Sequence, residues 1–178
     1  IVPLPVEVSA EIKAHMAGVP GTTVPPLGYH VTVLGPFAFR AEPQRSLGIL
    51  RQVLLGAAPL TLELRRLGYF RRPDDNLLFL HVDASAELLR LHNRLLAELG
   101  HLVLARHPRG EAWDRRHYTP HVSLGLHIPD TTLAEALAAL NDYHPTFRLS
   151  IHELWLLHER GTGAPEWVLA EVYHLRDA

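Results

Sequence analysis

Cysteine is absent from this sequence of 178 residues, which removes disulfide frameworks, thiolate nucleophiles and cysteine-zinc sites by inventory. Lysine is almost absent: Lys13 stands alone, and every other basic side chain is an arginine. Arginine forks suit phosphate oxygens, but a bias toward Arg, Ala, Leu and Pro is also what GC-rich coding imposes, and most of the arginines are read as that background. There is no large excess of either charge. A formal net charge of -2 leaves no global field to draw the molecule onto a polyanion or an anionic membrane, so any nucleic acid must be held locally. No apolar run approaches the roughly 18 residues of a membrane span, and no charged-then-apolar leader opens the chain; a cytoplasmic protein without membrane contact is expected.

What is present is ordinary globular material, 47% hydrophobic and 20% charged, at a length that predicts one domain over residues 1–178, or at most two small lobes around a shared core. Ile1 to Val6 reads as a short strand interrupted by Pro3 and Pro5, followed by a helix from about Ser9 to Met16 with Ser9 as its cap. Tyr29 to Leu34 alternates with period two and is stopped by Gly35-Pro36. A helical pattern over Pro43 to Leu55 puts Leu47, Leu50, Leu54 and Leu55 on one side. Leu60, Leu62 and Leu64 begin a half-buried strand running to Phe70, and Leu77 to Val82 returns after the Arg72–Asn76 turn. Leu88, Leu91, Leu95 and Leu99 recur at helical spacing behind Ser85 and stop at Gly100. Arg106 to Arg116 is charged and irregular. A strand from about Tyr118 to His127 follows, then a helix opened by the capping-box spacing Thr132-Leu133-Ala134-Glu135 and running to about Asn141. Strands near Phe147 to Leu157 and Trp167 to His174 flank Gly161-Thr162-Gly163. The sum is an α+β fold.

The 13 histidines are the chemical anomaly. About one His-x-hydroxyl match is expected by chance and four occur. Pro120 follows His117-Tyr118-Thr119 and Pro145 interrupts His144-Pro145-Thr146, leaving His30-Val31-Thr32-Val33 and His121-Val122-Ser123-Leu124. Residues i and i+2 of a strand share a face, so each strand presents an imidazole beside a hydroxyl. Two such strands facing one phosphodiester would supply a base, an acid and two donors to the non-bridging oxygens, with no metal required. A single strand histidine is usually structural, and His81, His92, His101, His107, His127, His152 and His158 are read so. Neither His-Glu-x-x-His nor a carboxylate-histidine cluster at ligand spacing is found, so no metal and no cofactor are expected.

At Pro25-Pro26-Leu27-Gly28-Tyr29-His30-Val31-Thr32-Val33-Leu34-Gly35-Pro36-Phe37 and Thr119-Pro120-His121-Val122-Ser123-Leu124-Gly125 the sequence resembles the two signatures of the 2H phosphoesterase superfamily, in its 2′-5′ RNA ligase-like branch. The resemblance implies a bilobal fold with pseudo-two-fold symmetry, antiparallel sheets lining a groove and flanking helices. It implies activity on 2′,3′-cyclic phosphates or 2′-5′ linkages of RNA ends or nucleotides. His121 would be the base and His30 the acid, or the reverse, with Thr32 and Ser123 holding the non-bridging oxygens. Tyr29, Phe37, Arg40 and Tyr118 are candidates for contacts to base and phosphate. The expected partners are RNA ends or small nucleotides as substrates, with the protein itself a monomer. A bell-shaped rate profile centred near neutral pH follows if one imidazole must be neutral and the other protonated. A module that binds RNA ends or a nucleotide in the same groove without turnover is the alternative, and a metal-dependent hydrolase a further one.

Overall fold

A computed structural model describes residues 1–40, 42–105, 118–160 and 166–176. Its elements run β1 (Val2–Pro3), α1 (Val6–Met16), β2 (His30–Val31), β3 (Phe37–Phe39), α2 (Pro43–Leu55), β4 (Leu60–Arg71), β5 (Asn76–Ala84), α3 (Ala86–Leu99), β6 (Val103–Ala105), β7 (His121–Ile128), α4 (Asp130–Ala139), β8 (Thr146–Ile151), β9 (Glu153–Arg160) and β10 (Glu166–His174). The stretch read as irregular, Arg106 to Arg116, and the Gly161-Thr162-Gly163 turn fall outside the described residues.

Six strands form one antiparallel sheet in the order β1-β2-β7-β5-β4-β8. The connection after β8 shows how this sheet curls. Only His152 separates β8, at one edge, from β9, whose Trp155 exchanges both backbone hydrogen bonds with Ile1 beside β1 at the other edge (2.8 and 2.9 Å). Two edges bridged by one residue must lie close together, so the sheet is nearly closed. The α+β class read from the sequence is the fold observed.

Period-two alternation decides which face is core. Leu60, Leu62 and Leu64 of β4, Leu78, Leu80 and Val82 of β5, Val122 and Leu124 of β7, Val31 of β2 and Val2 of β1 are all buried. They join Leu88, Leu91, Leu95 and Leu99 of α3 in one hydrophobic cluster. The α3 stripe follows the predicted spacing, and Ser85 caps it by accepting the Leu88 amide at 3.2 Å.

The differences from the sequence reading have local causes. Helix α1 starts at Val6 because Pro5, held at φ -52°, ends the strand and offers its carbonyl to Ser9, which therefore lies inside the helix instead of capping it. In α2, Leu55 is 62% exposed and Val53 takes the buried place. Helix α4 begins at Asp130 behind Pro129, and the Thr132 hydroxyl donates to the Pro129 carbonyl, so the capping box does not form. The strand expected near Phe147 to Leu157 is two strands, divided at His152 where the chain crosses from one sheet edge to the other. Strands β3 and β6 pair through Phe37↔Ala105, Ala38↔Leu104 and Phe39↔Val103, a ladder too short to show a period. No helix among the described residues is long and apolar enough to cross a membrane.

Candidate active site

Strands β2 and β7 are neighbours, and the residues that pair across them are Val31 and Val122. These hold the same place in the two tetrapeptides, so a local two-fold axis passes between them. Both valines are fully buried, and the alternation sends His30, Thr32, His121 and Ser123 to the opposite face, where all four are partly exposed. One register step on either side sets His30 beside Ser123 and Thr32 beside His121. Opposed side chains on adjacent strands lie about 5 Å apart, whereas i and i+2 on one strand are separated by about 6.6 Å. Continued in this register, each imidazole faces the other motif's hydroxyl, Thr32 lying one residue beyond the end of β2.

Each ring is fixed in the same way. His30 Nδ1 donates to the carbonyl of Gly28 at 3.0 Å, and His121 Nδ1 donates to that of Thr119 at 2.8 Å. The positive φ of Gly28, 71°, closes the turn in which its amide bonds the Pro25 carbonyl and aims its own carbonyl at the ring. With Nδ1 committed as a donor, Nε2 is the nitrogen left for a ligand in both rings. Burial holds both imidazoles below their ordinary pKa. The carbonyl bonds oppose this, and neighbouring positive charge, His121 on His30 and His81 on His121, reinforces it.

The flanks break the symmetry. On the far side of β7, His81 of β5 pairs with His121, and Phe79 pairs with Ser123. On the far side of β2, the residue opposite His30 is Pro3. The half turn that exchanges the motifs thus carries a proline onto an imidazole. Phe79 stacks on Phe70 of β4 at 4.2 Å, and both rings meet His121 edge-on, at 5.4 and 5.1 Å. The stack exists because the residue opposite Phe79 is Gly68: a Cβ there would come within 2.6 Å of the Phe79 ring. Gly68→Val is expected to destabilise the fold by about 1–3 kcal/mol and to displace Phe79 from His121; urea denaturation measures the first and the His121 ring NMR shifts the second. An unchanged midpoint and unchanged shifts would show that a side chain at position 68 does not meet the Phe79 ring.

A cleft of about 1270 Å³ opens from His30 and Thr32 toward the β9–β10 hairpin, lined by Phe37, Leu50, Trp155 and Trp167, with Arg51 and Glu171 also on its wall. Arg51 and Glu171 form an ion pair at 3.1 Å. Of the other predicted contacts, Phe37 alone joins this wall. Tyr29 points to the core side, 6% exposed. Arg40 donates from Nε to the Val103 carbonyl and lines a separate small hollow with Glu42 and Arg45. The Tyr118 hydroxyl donates to the Thr32 carbonyl at 2.9 Å.

Among the histidines read as structural, His92 is buried, His127 bonds Asp75 at 2.7 Å, and His152 lies 3.0 Å from the Ser150 hydroxyl; His107 is outside the described residues. His81 reaches the site beside His121 and His158 lines the cleft, and sequence reasoning passed over both, as it did Phe70 and Phe79. Alternation alone puts Phe79 and His81 on one face, but only the register with β7 makes that face the one carrying His121.

Comparison with known proteins agrees with this architecture. The solved structure of TT0787 of Thermus thermophilus superposes with a TM-score of 0.68 at 22% identity, covering 98% of this chain and 95% of that one. E. coli LigT, in its complex with 3′-AMP, gives 0.66 at 18% identity over 99% and 95%. A protein of Bacillus pumilus (strain SAFR-032), provisionally named a phosphoesterase, is 24% identical over 153 residues, 85% of this chain and 80% of its own length. The family model of the 2′-5′ RNA ligase superfamily matches residues 8–163. With a match of that extent, and with both tetrapeptides brought side by side on one sheet face, the chain belongs to the 2′-5′ RNA ligase superfamily, within the 2H phosphoesterases that its two motifs resemble.

Proposed function

We propose that this protein is a metal-independent phosphodiesterase that opens 2′,3′-cyclic phosphates or cleaves 2′-5′ bonds at RNA ends or in small nucleotides, using His30 and His121 as acid and base. The observation that carries the reading is the paired arrangement of two imidazoles, each tied through Nδ1 to a carbonyl two residues earlier. Each ring keeps Nε2 for the reaction. The nucleotide character of the substrate is carried over from LigT, whose structures hold 3′-AMP, ATP, NADP+ or phosphate.

In the forward direction neutral His121 takes a proton from water at Nε2 as the water oxygen bonds to phosphorus. The phosphorus–ribose oxygen bond breaks, and doubly protonated His30 delivers its Nε2 proton to the departing oxygen. Thr32 and Ser123 donate hydrogen bonds to the non-bridging oxygens, where charge accumulates. In ligation a 5′-hydroxyl takes the place of water: it loses its proton to the base and bonds to phosphorus as the phosphorus–ribose oxygen bond of the cyclic phosphate breaks, and cleavage of a 2′-5′ bond is that step reversed.

The test is release of nucleoside monophosphate from a ribonucleoside 2′,3′-cyclic phosphate by purified protein, with and without EDTA. Turnover unchanged by EDTA is expected. Tight nucleotide binding without turnover would establish a recognition module instead, and turnover abolished by EDTA would establish a metal-dependent hydrolase.

A base that must be neutral loses rate as pH falls through its pKa, and an acid that must be protonated loses rate as pH rises through its own. Burial lowers both values below 6.5, so the maximum of kcat/KM is expected on the acid side of 6.5 and not at neutrality. A bound phosphate anion favours both imidazolium forms, so the kcat profile should lie at higher pH than that of kcat/KM. A flat profile, or the two maxima in the opposite order, would overturn the assignment.

A further inference from the structure

The regular ladder of β2 ends at Val31, one residue short of the hydroxyl that the proposed reaction uses. The next two carbonyls are nevertheless held, by side chains. The Tyr118 hydroxyl donates to the Thr32 carbonyl at 2.9 Å, and His92 Nδ1 donates to the Val33 carbonyl at 2.8 Å. The two rings stack face to face, centroids 3.7 Å apart and planes within 7°. His92 comes from the middle of α3, and Tyr118 lies three residues before His121. Helix, first motif and the approach to the second motif therefore meet in one pair of rings.

We propose that Tyr118 and His92 are positioning residues for the phosphate site: a stacked clamp that fixes the Thr32 peptide, and through it the Thr32 hydroxyl, against the strand of His121. Thr32 needs such a device because no further ladder pair is there to hold it. Hydrogen-bond donors to a developing oxyanion work only when placed beforehand, and a misplacement of about 1 Å can cost about 100-fold in rate. The bond from Tyr118 joins the backbone of one motif to the segment leading into the other, so it sets the spacing between the two halves of the site. Burial raises the Tyr118 phenol well above its ordinary pKa, which keeps it a donor across the working range. This assignment gives Tyr118 a role through Thr32 in place of direct contact with substrate, and it rests on the phosphodiesterase reading above.

The test is a double-mutant cycle on turnover of a ribonucleoside 2′,3′-cyclic phosphate. Tyr118→Phe, which keeps the ring and removes the hydroxyl, should lower kcat/KM about 10-fold. In a Thr32→Val background it should lower it less than about 2-fold, whereas in a Ser123→Ala background the whole effect should persist. His92→Leu should resemble Tyr118→Phe, and His92→Asn, which retains a donor near the Nδ1 position, should return most of the lost activity. Melting temperatures within a few degrees of the parent would show the folds intact. An undiminished effect in the Thr32→Val background, as expected of a direct substrate contact, or no effect in the parent, would overturn the clamp. Failure of the parent protein to turn over any cyclic phosphate would count against the phosphodiesterase reading and not against the clamp. In that event calorimetric binding of inorganic phosphate reads the same cycle: weakening by Tyr118→Phe only where Thr32 is present supports the clamp, and equal weakening in both backgrounds removes it.

Discussion

Alanine at His121 or at His30 is expected to lower kcat on a ribonucleoside 2′,3′-cyclic phosphate by at least roughly 100-fold, the usual scale for loss of a general acid or base. The double variant should be barely worse than the weaker single one, because acid and base act in one bond exchange and neither is useful without its partner. Both rings hydrogen-bond to carbonyls only two residues away, so removing them breaks local contacts and leaves the ladders standing. Circular dichroism and melting temperature should accordingly be near those of the parent. Steady-state kinetics on the three variants settle the matter. A single variant that keeps more than about a tenth of the activity would remove that imidazole from the reaction.

The second large effect concerns the alcohols. Thr32→Val and Ser123→Ala should each cost roughly 10 to 1000-fold in kcat, the range found when a donor to a charged transition state is deleted. The register adds a finer expectation. Continued past the Val31↔Val122 pair, the register sets Thr32 toward His121 and Ser123 toward His30. Each alcohol and the imidazole it faces thus come from different motifs. Thr32→Val should therefore move the limb of the pH–rate profile governed by His121 more than the other, and Ser123→Ala the limb governed by His30. Shifts that follow the motif, with Thr32 acting on His30, would show that the strands pair differently in solution.

The two tetrapeptides were legible because their signal is local: a period of two, a breaker at the end, and chemistry in four consecutive residues. The stripe and cap of α3 and the limits of α2, which starts at Pro43 and stops before Gly56, were legible for the same reason, being set within one element. What the sequence left open depends on contacts between distant residues. His81 gains its place beside His121 only through the register of β5 on β7, across a ladder that contains bulges. Tyr118 and His92 meet through a stack of residues far apart in the chain, and neither belongs to a pattern. The break at His152 leaves only a local trace, the alternation of Phe147, Leu149 and Ile151 changing phase to Leu154 and Leu156, and where the chain then goes reflects where the sheet edges lie. Of the expected substrate contacts, Tyr29 was misplaced by proximity to His30: the neighbour of a groove residue on a strand faces the core.

The half turn through Val31 and Val122 has a consequence for traffic through the site. From either bank its four central side chains offer an imidazole and an alcohol, Thr32 differing from Ser123 by one methyl group, so on their own they discriminate little between an arriving oxygen and a departing one. Direction must be written in the margins, where one bank carries Pro3 and the other carries His81 above a pair of phenyl rings.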